Sequence, residues 1–315
     1  MDGEVRAGVS SEMMTAPRSL LIGHGYLGSA LAAHLDRSGC PVTAVSRFAE
    51  PAATYPVLSG DVSSRDSLRA IASAPGAGKP DVIVHCASSS RGGPEAYHSV
   101  FVEGLRNLHE VFPGVPVLFT SSSSVYGQVD GSVVTEESET RPDRETSRLL
   151  CEAEEIARDA GGIVLRLAGI YGPARSVHLK KMLEGSATIE EGGVSRFLNQ
   201  IHRHDAVAAI AHFLADGVEK FRGRIFNVAD DTPLTQRECY EGLAAFFDLP
   251  LPPTAPPATH RKRAWTHKIV SNAALRATGW RPLYPSFLDA VREDDRLVPS
   301  IRALLDAEAD LTSPA

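Results

Sequence analysis

The chain has 315 residues, 43% of them hydrophobic, and a net charge of −7 with acidic and basic side chains interspersed. This length fits one large α/β domain or a domain with a smaller lobe, and the charge pattern gives no sign of nucleic acid or membrane as partner. No apolar run reaches the roughly 18 residues of a transmembrane helix, and the four cysteines form no C-x-x-C pair. We therefore expect a cytoplasmic protein with reduced thiols, no bound metal and a small-molecule substrate.

Residues 1–17 are small and polar and lack the basic start and apolar core of a signal peptide, so we expect a flexible tail. From residue 18 to 172, apolar segments of strand length alternate with segments of helical spacing, which is typical of a parallel, doubly wound sheet. The predicted strands are 20–22, 41–45, 56–58, 81–86, 115–120 and 162–167. The predicted helices between them include 67–73, 97–111 and 146–160.

Residues 173–300 are a mixed region in which the strands become sparser. We expect residues 201–232 to complete the sheet, and residues 173–200 and 235–295 to form a small substrate lobe. Thr235 and Glu238 have the spacing of a capping box at a helix start, whereas 249–258 is too rich in proline to predict regular structure. Residues 301–315 are expected to be a C-terminal tail.

Three glycines follow the first predicted strand with the G-x-G-x-x-G spacing of a dinucleotide-binding turn. Gly23 permits the tight exit from the strand, Gly25 lets the backbone approach a pyrophosphate, and Gly28 lets the next helix pack on the sheet. That helix presents its N-terminal N–H groups to the phosphates. We predict that Gly23, Gly25, Tyr26, Leu27 and Gly28 bind a dinucleotide.

The second predicted strand ends in Ser46 and Arg47, with no carboxylate before Glu50. An acidic residue about 20 positions after the glycine turn binds the ribose 2′-hydroxyl of NAD(H). A serine and an arginine suit a 2′-phosphate instead, because they offer a hydrogen bond and a positive charge. NADP(H) is therefore favoured as the cofactor, with NAD(H) as the alternative.

Four consecutive serines, Ser121 to Ser124, follow the fifth predicted strand, and Val125, Tyr126 and Gly127 close the segment. We call residues 121–127 the serine loop. It lies where open α/β sheets bind ligands, beyond the carboxyl ends of the strands. We predict that Thr120 contacts the cofactor and that Ser123 and Ser124 contact the substrate.

Six segments, in this order, resemble the extended short-chain dehydrogenases/reductases of the NAD(P)-dependent epimerase/dehydratase type, over about residues 18–295. They are Gly23–Gly28, Gly60–Val62, Asp81–Ala87, the serine loop, Leu165–Pro173 and Ile201–Asp205. The resemblance implies an α/β fold of the Rossmann type, a doubly wound parallel sheet with a small C-terminal substrate lobe. It also implies a homodimer that pairs through the helices at 97–111 and 146–160.

The resemblance further implies roles for single residues. Ser122 would be the active-site serine, whose hydroxyl hydrogen-bonds a substrate oxygen. The residues that would line the cofactor, from adenine to nicotinamide, are Asp61, Val62, Ala87, Ser88, Ser89, Ala168, Gly169 and Ile170. The residue types alone leave alternatives open, since Asp61 also suits a helix cap and Ser122 a turn.

The chain departs from this family where the family has its catalytic pair. That pair is a tyrosine and a lysine four residues later, on the helix after the serine loop, where the lysine lowers the pKa of the tyrosine. Here no tyrosine occurs between Tyr126 and Tyr171, and no lysine between Lys79 and Lys180. The usual proton relay is therefore absent.

Other side chains are candidates to supply the proton or bind the substrate. His202 and His204 open a predicted helix and titrate near neutral pH, and Tyr126 joins them as a catalytic candidate. Tyr171 borders the expected pocket and is assigned to the substrate. Arg144 and Arg148 do not titrate usefully, so we expect them to orient a substrate anion.

These features predict an NADP(H)-dependent oxidoreductase that exchanges hydride with a polar carbonyl, alcohol or imine. One alternative is a nucleotide-sugar epimerase or dehydratase with a retained NAD(P). A second alternative is a catalytically silent NAD(P)-binding sensor or scaffold.

Overall fold

The computed structural model describes residues 16–48, 54–74, 78–90, 92–192, 195–256 and 266–312, with side chains described to residue 310. The predicted N-terminal tail therefore lies outside the described residues, apart from positions 16 and 17. All four cysteines are free thiols. In the described part of the chain, no helix combines the length and the apolar character needed to cross a bilayer.

The chain forms fifteen strands within these ranges, in the following order. They are Ser19–Ile22 (β1), Val42–Ser46 (β2), Val57–Ser59 (β3), Val82–His85 (β4), Val117–Ser122 (β5), Val133–Val134 (β6), Ile163–Leu167 (β7), Gly169–Tyr171 (β8), Ile189–Glu190 (β9), Phe197–Leu198 (β10), Gln200–His202 (β11), Ile225–Val228 (β12), Leu234–Thr235 (β13), Thr254–Ala255 (β14) and Ile269–Val270 (β15).

The described α-helices number eleven, and one π-helical segment, His98–Glu103, joins two of them. They are Gly28–Arg37 (α1), Arg65–Ala72 (α2), Pro94–Tyr97 (α3), Gly104–Val111 (α4), Glu145–Asp159 (α5), Val177–Leu183 (α6), Arg203–Asp216 (α7), Gln236–Phe247 (α8), Ala273–Ala277 (α9), Phe287–Glu293 (α10) and Leu297–Thr312 (α11). Short 3₁₀ turns lie at Ser123–Val125 and Val218–Phe221.

Seven strands form one parallel sheet in the order β12-β7-β5-β4-β1-β2-β3. The central strands are buried along their length because helices cover both faces, which explains their continuous apolar sequences. The order reverses direction between β1 and β4, and ligands bind beyond the carboxyl ends of strands at such a point. The predicted Rossmann-type, doubly wound sheet is confirmed, and the predicted strand ends agree within two residues.

A second hydrophobic core lies beneath α6, α8, α10 and α11 and is separate from the core of the sheet. Its α8 begins at the predicted capping box, in which Glu238 N donates to Thr235 Oγ1 at 3.2 Å and Thr235 N donates to Glu238 Oε2 at 2.8 Å. This box fixes where the helix starts by satisfying two backbone donors.

Two expectations for the C-terminal region are corrected. Residues 301–312 are not a tail, because they continue α11, where Ile301 is buried and Glu308 lies 2.7 Å from Lys180 Nζ. The proline-rich segment contains β14, which pairs with β9. Proline lacks an N–H donor but keeps its carbonyl, and Pro253 O accepts from Ile189 N at 3.0 Å.

The predicted helix at 97–111 is continuous but changes its winding. Its first part is α3, its middle is the π-helical segment and its end is α4. Beside the π-helical segment, His85 Nε2 donates to Val100 O at 3.0 Å. This contact ties the end of β4 to the helix that packs on α5.

Candidate cofactor and catalytic site

The three glycines of the turn after β1 are required for three different reasons. Gly23 has φ +102°, and a Cβ there would lie 2.5 Å from the backbone of Ala87. A Cβ on Gly28 would collide with the carbonyl oxygen of Gly23. A Cβ on Gly25 would meet no heavy atom within 4 Å, so its backbone faces open space at the start of α1. This cradle fits a dinucleotide pyrophosphate.

The two side chains between Gly25 and Gly28 point into the protein. Leu27 is buried in the core of the sheet. The Tyr26 hydroxyl donates to Pro173 O at 3.0 Å, and the guanidinium carbons of Arg175 and Arg203 lie 5.0 and 4.5 Å from the centre of its ring. The glycine turn is thus packed against the start of α7, and these two arginines are contacts that sequence reasoning missed.

At the end of β2, Arg47 contacts the segment that follows β4, and Ser46 caps the turn at its own strand end. Arg47 Nη2 donates to Ser90 Oγ at 2.9 Å, and Ser46 Oγ accepts from Phe48 N at 3.2 Å. Ser90 has φ +52°, an uncommon backbone conformation for serine. The contact places a guanidinium and hydroxyl groups together at this edge of the sheet.

Asp61 holds the turn before α2. Its Oδ1 accepts from Ser63 N at 2.9 Å and from Ser63 Oγ at 2.7 Å, while Asp61 N donates to Ser67 Oγ at 2.9 Å. Val62 beside it is buried. These contacts show Asp61 in a structural role at the turn before α2. Its contact with the adenine stays a prediction.

The segments after β4 and β7 border the same edge of the sheet. Ser88 Oγ accepts from Ser90 N at 3.2 Å, and Ala87 lies against Gly23. Ala168 N donates to Val228 O at 2.9 Å, which ties the end of β7 to β12. The remaining predicted cofactor residues, Ser89, Gly169 and Ile170, are half-buried.

The serine loop begins inside β5 and turns outward. Thr120 Oγ1 donates to His85 O at 3.0 Å, and Ser121 Oγ donates to the buried Glu154 at 2.5 Å. Ser122 Oγ accepts from Ser124 N at 3.2 Å and so caps the 3₁₀ turn. Because a hydroxyl donates as well as accepts, this contact leaves the Ser122 proton available to another acceptor.

A buried ion pair that sequence reasoning missed supports this loop from below. Arg166 Nη2 of β7 lies 2.6 Å from Glu154 Oε2 of α5, and both side chains are almost completely buried. Arg166 Nη1 also donates to the Tyr126 hydroxyl at 2.7 Å. The pair therefore joins α5, β7 and the serine loop.

Tyr126 is a correction to the catalytic set. Its ring is fully buried, and its hydroxyl lies 2.8 Å from Thr135 O and 3.0 Å from Asn227 Oδ1 in addition to Arg166. Burial raises the pKa of this phenol, against the lowering effect of Arg166. A hydroxyl held by this network is not placed to exchange a proton with a substrate.

Tyr171 and His202 are corrected for the same reason. Tyr171 is buried in the second core and packs edge-on against Phe287 and His202, and burial raises its pKa well above the usual value. His202 is 2% exposed, its Nδ1 accepts from His204 N at 3.2 Å to cap α7, and its Nε2 lies 3.1 Å from Asp294 Oδ2. Burial lowers the pKa of His202 to about 4, so this imidazole is neutral at physiological pH.

The remaining candidates are more accessible. The side chain of His204 is 49% exposed, with Nδ1 3.5 Å from Asp205 Oδ1 and its ring beside Tyr284. Arg144 is the N-cap residue of α5 and is half-buried. Arg148, four residues later, is exposed and pairs with Glu145 at 2.9 Å. Two arginines thus stand at the four-residue spacing of the missing pair.

Comparison with known proteins gives the family. The model of the NAD dependent epimerase/dehydratase family matches residues 20–229, more than half of the chain. Protein YeeZ of Escherichia coli K12 is 27% identical over an alignment of 248 positions that covers 74% of this chain and 84% of YeeZ.

Solved structures agree in fold. A structure described as a candidate NAD-dependent epimerase/dehydratase from Methylobacillus flagellatus is 28% identical, with a TM-score of 0.73, and the match covers 91% of this chain and 99% of that one. The Thermus thermophilus UDP-glucose 4-epimerase in complex with NAD is 21% identical and also has a TM-score of 0.73, over 90% and 99% of the two chains. By its matched segments and its sheet, this chain belongs to the NAD dependent epimerase/dehydratase family and is an NAD(P)-dependent oxidoreductase or epimerase.

Proposed function

We propose that this protein is a cytoplasmic NADP(H)-dependent oxidoreductase that exchanges hydride with a polar carbonyl, alcohol or imine, without a Tyr-x-x-x-Lys pair. The observation that carries the proposal is the start of α5, where Arg144 and Arg148 stand at the spacing of that pair. Arginine binds and orients an anion but does not release a proton near neutral pH. The chemistry therefore depends on bound nicotinamide and on residues outside the family's usual relay.

The cofactor would be held by groups at the carboxyl ends of the strands. The backbone at Gly25 and the N-terminus of α1 suit the pyrophosphate, and Arg47 with Ser46 and Ser90 suits a 2′-phosphate. When bound, NADP(H) supplies or accepts the hydride. NAD(H) remains the alternative, and the absence of a carboxylate at the end of β2 weighs against it.

The chain's own residues would then orient the substrate. Ser122 donates a hydrogen bond to the reacting oxygen, and Ser123 and Ser124 line the same turn. Arg144 and Arg148 orient an anionic group of the substrate. His204, whose side chain is half exposed, or a water molecule supplies the proton.

The proposal is tested by cofactor binding followed by a turnover screen. We expect the wild-type protein to bind NADPH, as measured by fluorescence titration, and to consume it with a carbonyl or imine substrate. Gly25→Val is the control, because its side chain would fill the open space at the turn and abolish binding while the fold is kept. Product without net NADPH consumption would favour a retained-cofactor epimerase, and binding without any turnover would favour the sensor.

Cofactor preference is tested by Arg47→Asp combined with Ser46→Gly. A charge-assisted hydrogen bond contributes about 1.5–3 kcal/mol, so NADPH affinity is expected to fall roughly 10- to 150-fold while NADH affinity changes little. Equal losses for both cofactors, or a wild type that already prefers NADH, would contradict the NADP(H) assignment.

A further inference from the structure

A buried lysine lies beside the serine loop and takes no part in the family's usual chemistry. Lys268 directly precedes β15 and is only 3% exposed. Its Nζ donates to Tyr126 O at 2.6 Å, and among the described residues this carbonyl is the acceptor that it meets. The negative charge of the Asp143 carboxylate, directly before the N-cap of α5, acts on the Lys268 ammonium and favours its charged form.

An ammonium in this place is costly to bury. It has three N–H donors and loses most of its hydration, so a methionine of similar length would pack there at lower cost. Burial lowers the pKa of Lys268 to about 8, and Asp143 opposes that effect. The other titratable groups nearby are His267, whose ring stacks on Phe197, and the Tyr126 phenol, which is bound to Arg166.

The backbone that carries Lys268 is held firmly. Asn199 Nδ2 donates to Lys268 O at 3.0 Å, and Asn199 Oδ1 accepts from Val270 N at 2.7 Å. On the other side, β15 pairs with β6, and His267 N donates to Gln128 O at 3.1 Å. The backbone from which the Lys268 side chain extends is therefore held by two neighbouring segments, and its Nζ is held by Tyr126 O.

Tyr126 is in turn held by a cation at each end. Arg166 binds its hydroxyl and Lys268 binds its carbonyl oxygen. Because Tyr126 lies four residues after Ser122, these two contacts fix the end of the 3₁₀ turn that Ser122 caps. The cation on the Tyr126 carbonyl, Lys268, belongs to the C-terminal part of the chain. It lies between the serine loop and Asp143 at the start of α5.

We propose that Lys268 is a positioning residue that holds Ser122 in its reactive geometry through its hydrogen bond to Tyr126 O. It places a lysine ammonium beside the serine loop, although the helix after that loop lacks the family's lysine. This role rests on the proposed oxidoreductase function. Lys268 acts through the loop, so it affects the reacting atoms without touching them. Its charged form is the stronger donor to the carbonyl.

The test compares Lys268→Met and Lys268→Arg with Lys180→Met, a control that removes a partly exposed lysine of α6 paired with Glu308. We would measure the NADPH Kd by fluorescence, and kcat and KM with the screened substrate from pH 6 to pH 10. Lys268→Met is expected to lower kcat about 10²-fold, the usual cost of a misplaced reacting group, while the NADPH Kd changes little. Lys180→Met should match the wild type.

The pH dependence of kcat in Lys268→Arg separates the positioning role from a role in packing alone, which would not change that dependence. In the wild type, kcat should fall as the pH rises through about 8, because Lys268 loses its proton there. In Lys268→Arg the cation persists, so that fall should be absent. If Lys268→Met does not fold, this difference between two folded proteins decides the matter.

Identical pH profiles for wild type and Lys268→Arg, or a wild-type kcat in Lys268→Met, would overturn the positioning role and leave the proposed function intact. A wild type that binds NADPH but turns over no substrate would overturn the proposed function, and the positioning role with it.

Discussion

The glycine turn after β1 and the serine loop after β5 lie at the same edge of one sheet, yet they are built differently. At the turn, Gly23, Gly25 and Gly28 act through backbone shape, and each requirement is met within a few residues. At the loop, Tyr126 is held by side chains from distant segments. The first site is thus specified locally, and the second depends on the packed fold.

The largest expected effect comes from breaking the support of the serine loop. Glu154→Ala leaves the Arg166 guanidinium buried without its carboxylate and should lower the free energy of unfolding by about 3–5 kcal/mol. Chemical denaturation measures this change. Glu152→Ala is the matched control, because Glu152 lies on the same helix as Glu154 but forms an exposed pair, with Arg106 of α4, and its loss should cost at most about 1 kcal/mol. Similar losses in both variants would contradict the special dependence of the loop on buried contacts.

The next effect concerns the chemistry of the loop rather than its support. Ser122→Ala removes the hydroxyl that we assign to the reacting oxygen and should reduce kcat by about 10²–10³-fold. Steady-state NADPH consumption measures it. Ser64→Ala is the control, because the Ser64 hydroxyl likewise accepts from a backbone N–H, that of Ser67 at the start of α2, and lies outside the serine loop. A silent Ser122→Ala would show that the family's serine role does not transfer to this chain.

The third effect tests the glycine turn as a structure. Gly28→Ala places a methyl group against the Gly23 carbonyl, and overpacking of this kind costs about 1–3 kcal/mol of stability. Gly25→Ala should change stability by no more than about 0.5 kcal/mol, because its Cβ meets nothing, while it weakens NADPH binding. Thermal unfolding with and without NADPH separates the two losses. A Gly25→Ala variant less stable than Gly28→Ala would contradict the assignment of Gly28 to packing and of Gly25 to the cofactor.

These differences explain how far the sequence could predict the site. The glycine turn and the Thr235 capping box were predictable because strand, turn and helix start lie within a few residues of one another. The fate of Tyr126 was not, since its partners Arg166, Asn227 and Lys268 are 40, 101 and 142 positions away. A motif places a residue at a strand end, but distant packing decides whether its side chain faces the substrate or the core.

His202 and the C-terminal helix show the same limit. His202 stands at the predicted helix start, and its partner Asp294 follows α10. The packing of α11 on α6, which turned a predicted tail into a helix, likewise joins segments more than a hundred residues apart. Neither contact leaves a periodic signal in the local sequence.

The smallest expected effect tests whether the side chain of Asp61, in another locally built turn at this edge of the sheet, also contacts the cofactor. Asp61 has two carboxylate oxygens, and Oδ1 accepts from Ser63. Asp61→Asn keeps one oxygen for that turn but loses the second acceptor, so stability should stay within about 0.5 kcal/mol of wild type. If Asp61 accepts from the adenine amine, NADPH affinity should fall about fivefold, the equivalent of about 1 kcal/mol for one hydrogen bond.

Asp66→Asn is the control for Asp61→Asn, because Asp66 lies exposed in the first turn of α2 and pairs with Arg69. Fluorescence titration with NADPH and chemical denaturation measure both variants. An unchanged Kd in Asp61→Asn would make the turn the whole role of Asp61. The turn at Asp61, like the glycine turn, would then serve the cofactor only through its backbone. Its contrast with the serine loop, which depends on side chains from distant segments, would be sharper than the resemblance implies.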